Sequence, residues 1–260
     1  MRLLLTAPAF FLLSSCAVRS VYVPTTQNVL LFDDKKQIQA NAYVGSNHSE
    51  LQLAANPIHH LSVGANTNYG TGLAIYEGYL GFYNYNKSDM RWRWEILGGG
   101  SYTNNFLQQN NALISYANQT TSQFETTGLY NKYFIQPSVG IFSKMEMYKM
   151  TYSFSFSTRY SYIDFKKYIY RELDVENTQA QGTPIYFVNK EYHNKTLYLF
   201  EPCLTNKIGF RSIYIVLQLQ FMMPYSTDID IRYTKFSPVY IISAGLQYNL
   251  IFKSRKKKDS

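Results

Sequence analysis

The chain has 260 residues, 25 of them basic and 17 acidic, with 25 tyrosines, 17 phenylalanines and a formal net charge of +8 at pH 7. A mean hydropathy of −0.25 and the lack of any later run of about 18 apolar residues exclude a bundle of membrane-spanning helices. They leave open a membrane barrel, whose strands alternate faces and carry a much weaker hydropathy signal.

Arg2 followed by an apolar stretch from Leu3 to Leu13, broken by Thr6 and Pro8, reads as a cleavable signal peptide over 1–15. The next residues, Leu13-Ser14-Ser15-Cys16, resemble the lipobox of bacterial lipoproteins. That resemblance implies that Cys16 is acylated and becomes the new N-terminus. Cys203 is then the only free thiol left, so no disulfide is expected. Residues 16–36, including Pro24, Thr25, Thr26, Gln27 and Asn28, show no period and read as the lipidated N-terminus and a tether.

From residue 37 the period becomes 2, the spacing at which successive side chains face opposite sides of a strand. Ten strands are predicted, at 37–44, 50–56, 61–69, 73–86, 91–103, 130–143, 148–165, 196–205, 210–223 and 239–253. The segment 150–162 sets Phe154, Phe156, Tyr160 and Tyr162 against Ser153, Ser155, Ser157, Arg159 and Ser161. The segment 211–223 sets Ile213, Ile215, Leu217, Leu219 and Phe221 against Gln218 and Gln220. The connections 57–60, 87–90, 144–147 and 206–209 are short, whereas 104–129, 166–195 and 224–238 are long and polar. In an up-and-down meander the long ones share one end, as they do in outer-membrane barrels. An even strand count returns both ends of the barrel domain, 37–253, to the short-turn side. This places the lipid and the basic tail 254–260 in the periplasm. Pro137 and Pro202 remove ladder donors inside predicted strands, so an eight-stranded barrel with an accessory hairpin stays open.

The face opposite the apolar one is rich in Ser, Gln, Asn and Gly rather than Lys and Glu, which favours a lipid-facing apolar side over a soluble barrel. Ser243-Ala244-Gly245-Leu246-Gln247-Tyr248-Asn249-Leu250, running on to Phe252, looks like the C-terminal signal that bacterial barrels present to their insertion machinery. Over residues 16–253 the chain resembles the small barrel lipoproteins of Bacteroidota outer membranes. The resemblance implies membrane lipid and the insertion machinery as partners, and supplies no activity.

Charges on the polar parity include Glu77, Arg91, Arg93, Glu95, Arg159, Glu201 and Lys149. Glu77, Arg93, Glu95, Arg159 and Glu201 are expected to form a paired network across a narrow lumen, because a confined charge is costly unless paired. The network reads either as an ion-selecting constriction or as a plug of ion pairs. His59 and His60 sit in a short turn without further ligands, so no metal or cofactor is predicted. Glycines 98–100 lack the helix and Lys-Ser/Thr of a phosphate loop and read as a site of strand bending. With four of the surplus positive charges in the tail, no nucleic-acid partner is expected.

Three functions remain open at this level. The first is a lipid-anchored outer-membrane barrel, not an enzyme, with a structural, surface-binding or narrow-pore role and an external ligand that is not specified. The second is a soluble periplasmic barrel lipoprotein whose apolar interior carries a hydrophobic ligand. The third is a hydrolase using His193, Asp228 and Asp230 from the long loops.

Overall fold

The computed structural model describes residues 25–30, 32, 37–45, 48–70, 73–86, 91–104, 108–115, 121–145, 150–174, 186–210, 212–228 and 239–251. The expected signal peptide, Cys16 and the basic tail lie outside them. Eleven strands follow one another: β1 (Gln37–Gly45), β2 (His48–Ile58), β3 (Leu61–Gly70), β4 (Leu73–Tyr85), β5 (Arg91–Asn104), β6 (Gln108–Ser115), β7 (Thr121–Met145), β8 (Met150–Asp174), β9 (Tyr186–Phe210), β10 (Ile213–Thr227) and β11 (Val239–Ile251). Consecutive strands pair antiparallel, except that β5 pairs with β7 in place of β6. The first strand closes on the last, Gln37 opposite Ile251 and Gly45 opposite Ser243.

Closure elsewhere runs from β5 directly to β7, with Arg91 opposite Phe142 and Tyr102 opposite Asn131. Ten strands therefore form the barrel wall, and β6 pairs only with the upper part of β7. The expected ten-stranded meander is present, and the eight-stranded alternative is not. Closure leaves no open edge in the wall, which is how a sheet satisfies its backbone in an apolar medium.

The prolines stand within the wall after all. On β7 the ladder to β8 passes from Ile135–Tyr160 to Ser138–Ser157, skipping the partners of Gln136 and Pro137. On β9 the ladder to β10 likewise skips Pro202, passing from Cys203–Gln220 to Phe200–Met223. Each proline costs pairs on one side only; Pro202 still faces Thr158 and Pro137 still faces Ile96.

Glycines 98–100 do not act as one bend. A Cβ on Gly99 would stand 2.3 Å from the carbonyl oxygen of Gly78 and 2.8 Å from the Phe134 ring, while one on Gly98 meets nothing closer than 3.9 Å. Gly99→Ala is thus expected to destabilise the barrel by about 1–3 kcal/mol, the usual cost of overpacking. Gly98→Ala should be tolerated, and denaturant titration of the two variants checks the contrast.

The segments 104–129 and 166–195, expected as long loops, are largely strand. β7, β8 and β9 run 25 residues each, more than twice the roughly 9–11 that a tilted spanning strand needs. Their upper parts and β6 form a four-stranded sheet beyond the barrel at the long-loop end. Its lumen-side face is apolar: Tyr130, Ile163, Phe165, Tyr168, Tyr170, Leu197 and Leu199 form one buried cluster with Met222 of β10, and Tyr192 stacks on Tyr168.

A bulge makes that face continuous. Leu129 pairs with Lys167 but Tyr130 with Phe165, so Lys166 is the extra residue. Inward parity then switches from odd (Ile163, Phe165) to even (Tyr168, Tyr170). On β9 the same level holds Asn194 with a φ of 50°, a left-handed conformation that asparagine tolerates better than most residues.

Candidate functional site

The barrel is apolar outside and polar inside. Leu53, Leu80, Phe82, Trp92, Ile135, Ile215, Leu217 and Leu246 are exposed on the wall. Gln39, Asn41, Glu50, Gln52, Asn66, Glu77, Gln136, Ser155, Ser157, Thr205, Gln218 and Gln247 are buried within. The same alternation that makes the strands thus builds a hydrogen-bonding lumen.

The lumen is filled by the chain itself. Residues 25–30 and 32, expected to belong to a tether, are buried inside the barrel. The segment runs from the long-loop side toward the short-turn side. Thr25 meets Glu77, Lys132 and Arg159. Asn28 donates to the Tyr79 hydroxyl, and Phe32 packs on Tyr83 at 5.8 Å between ring centroids. Leu30 and Phe32 join Ala54, Tyr79, Tyr83, Leu97 and Phe134 in an apolar cluster. The strands' own ends, Gln37 and Ile251, lie at the short-turn side as expected. Thr25 is the long-loop end of this segment, opposite the short-turn side at which β1 begins.

The backbone of this segment is held by side chains from all around the wall. The Thr26 N–H donates to a Glu50 carboxylate oxygen at 2.8 Å, and the Leu30 N–H to Glu95 at 3.1 Å. The carbonyl of Thr26 accepts from Gln52 at 3.0 Å, that of Gln27 from Gln218 at 2.6 Å, that of Asn28 from Gln136 at 2.8 Å, and that of Val29 from the Lys207 ammonium. Removing those groups from water without such partners would cost several kcal/mol apiece.

All five residues expected in a charge network are buried in the lumen. Glu77 and Arg159 are brought together, Nη1 to Oε1 at 3.4 Å, and Lys132 closes on Glu77 at 2.8 Å. Arg159 also donates from Nε and Nη2 to Gln136 and lies 4.3 Å from the centre of the Phe134 ring. Arg93 and Glu95 pair separately at 3.1 Å. Glu201 lies directly across from Arg159 in the β8–β9 pairing and accepts from Ser161 at 2.6 Å and Gln220 at 3.2 Å. The side chains of Arg91 and Lys149 fall outside the described residues.

Sequence reasoning missed Glu50, Lys132 and Lys207. Glu50 shares parity with Gln52 on β2 and was legible in principle. Lys132 lies between Tyr130 and Phe134, aromatics that disguise an inward face, and Lys207 lies where a turn was expected. With them the buried lumen holds, among the described residues, Glu50, Glu77, Glu95 and Glu201 against Arg93, Lys132, Arg159 and Lys207. The formal charges cancel.

Elsewhere the candidate chemistry is dispersed. His193 Nε2 pairs with Glu191 at 3.0 Å, Asp228 accepts from the Thr196 hydroxyl at 2.5 Å, and Asp230 lies outside the described residues. Hydrogen bonding from Lys167 holds the exposed Glu191 carboxyl below its usual range. His59 and His60 meet edge-on, with their ring planes at 87°, and the His60 ring meets the Tyr83 carbonyl at 2.8 Å. Among the described residues no three His, Cys, Asp or Glu side chains converge as metal ligands do.

No protein-family model and no curated protein matches the chain. Among solved structures, a KdgM porin aligns over 82% of this chain and 98% of its own, at 10% identity and a TM-score of 0.32.

Proposed function

We propose that this chain is a lipid-anchored outer-membrane barrel, closed at rest by its own residues 25–32, that presents the β6–β9 sheet outside the membrane as a binding surface. The observation that carries this reading is the direction of the alternation, with amides, hydroxyls and paired charges turned inward and leucine, isoleucine and aromatic side chains turned outward. A soluble carrier of a hydrophobic ligand needs the reverse, an apolar hollow and a charged exterior. Here the interior is polar and occupied. Tyr76, Trp92, Trp94, Tyr240 and Tyr248 on the outer wall suit interfacial belts of a bilayer. The lipobox at Cys16 supports a lipid anchor in addition. The filled lumen favours a scaffold over an open pore. The 25-residue strands carry the surface on which recognition by rigid, exposed side chains takes place.

The test is electrophoretic and biochemical. Unheated protein in SDS should migrate as a compact species and shift only on boiling, and the Cys16→Ala protein should stay with membranes through a carbonate wash. Identical mobility before and after boiling, with the Cys16→Ala protein in the soluble fraction, would replace this reading by the soluble carrier.

A further inference from the structure

We propose that the lumen is a binding site for an extended polypeptide that reads the main chain, and that residues 25–30 occupy it as a displaceable ligand supplied in cis. This goes beyond a plug as mere filling.

Four successive carbonyls, of Thr26, Gln27, Asn28 and Val29, are each met by a donor from a different strand: Gln52 on β2, Gln218 on β10, Gln136 on β7 and Lys207 on β9. Two amides, of Thr26 and Leu30, are each met by a carboxylate, Glu50 on β2 and Glu95 on β5. Donors are thus placed where a chain offers C=O, and anionic acceptors where it offers N–H. A simple ion plays one role throughout and a sugar hydroxyl can play either at any position, whereas a main chain fixes donor and acceptor at set places, as the wall's donors and carboxylates do here.

Main-chain contacts carry no information about side chains. Selectivity therefore rests on the side-chain contacts: the Thr25 hydroxyl among Glu77, Lys132 and Arg159, the Gln27 amide between the Ser157 hydroxyl and the Glu201 carbonyl, the Asn28 amide on the Tyr79 hydroxyl, and Leu30 in its apolar cluster. A hydroxyl-bearing residue, a polar stretch and an aliphatic residue five positions on define the ligand class. The segment is joined to the wall by a single covalent connection, through residues 33–36 to β1. It is displaceable in principle without breaking any strand pair.

The experiment uses the full chain, folded in detergent, with a flexible insert bearing a protease site between Phe32 and Gln37. After cleavage the N-terminal piece should remain bound through gel filtration and then exchange with an excess of fluorescein-labelled synthetic peptide spanning 22–32. The peptide N-methylated at the amides of Thr26 and Leu30 should compete at least tenfold more weakly. Retention of the heat-shifted compact band after cleavage reports the barrel itself, separately from the peptide. Equal competition by the N-methylated peptide overturns the main-chain reading. A barrel that collapses on cleavage, or a piece that never exchanges, shows the segment to be fixed core instead of ligand.

Discussion

Glu77→Gln is expected to lower barrel stability by about 3–5 kcal/mol, the cost of leaving buried charge without its counter-ion. Glu77 lies between Lys132 and Arg159 and takes hydrogen bonds from Asn66 and Thr25 as well. Neutralising it leaves two cations facing each other across the lumen, at a site from which water is excluded. Adding Lys132→Met to the same chain removes one positive charge and returns the local balance to its original value. The double variant should recover most of the loss, because a buried ion pair replaced as a unit by apolar or neutral groups is often close to neutral in energy. Urea titration of the refolded barrel measures both, and the interaction energy from the double-mutant cycle is the quantity that counts. A single variant as stable as the wild type would mean that the network contributes nothing.

Leu217→Arg is the second large effect. Leu217 points outward midway along β10, 47% exposed, with Ile213 outward near the short-turn end of the same strand. At a bilayer midplane an outward arginine costs about 2–4 kcal/mol, and near an interface about 0–1 kcal/mol. Leu217→Arg should therefore impair folding into phospholipid vesicles far more than Ile213→Arg. If the wall faced water, both would fall within about 0.5 kcal/mol of the parent. The depth dependence separates lipid from water without any assumption about function.

The wall was almost wholly legible in the sequence, for a physical reason. A half-buried strand has to alternate, and over 150–162, 211–223 and 239–252 the alternation is clean enough to give both the strand and its faces. The lumen residues Glu77, Arg93, Glu95, Arg159 and Glu201 followed from the same parity. Legibility failed at Lys166, where one extra residue shifts Tyr168 and Tyr170 onto the face that Phe165 occupied. A period-2 reading sees that shift as the end of order and reports a loop. It failed again at residues 25–32 for the opposite reason. An extended segment surrounded on all sides has no exposed face, so it has no period, and Thr25, Thr26, Gln27 and Asn28 read as solvent-facing tether. Their partners are scattered over β2, β4, β5, β7, β8, β9 and β10, and no local pattern encodes contacts so distant in sequence.

The pairing of Gln37 with Ile251 has a kinetic consequence. The seam joins the first strand to the last, so no intermediate lacking β11 is a closed surface, and the chain has to remain open until its final strand is available. Contacts of such high sequence separation are formed late, after the loop-closure entropy of everything between them has been met. A closed wall offers residues 25–32 no lateral entrance, so once the seam has zipped they can be taken up or released only along the barrel axis. Hairpins condensing around that segment gain hydrogen bonds from Gln52, Gln136 and Gln218 as each one docks. A segment present while the hairpins assemble is enclosed when the seam zips, whereas one that leaves afterwards, as exchange requires, has to do so through an end of the tube.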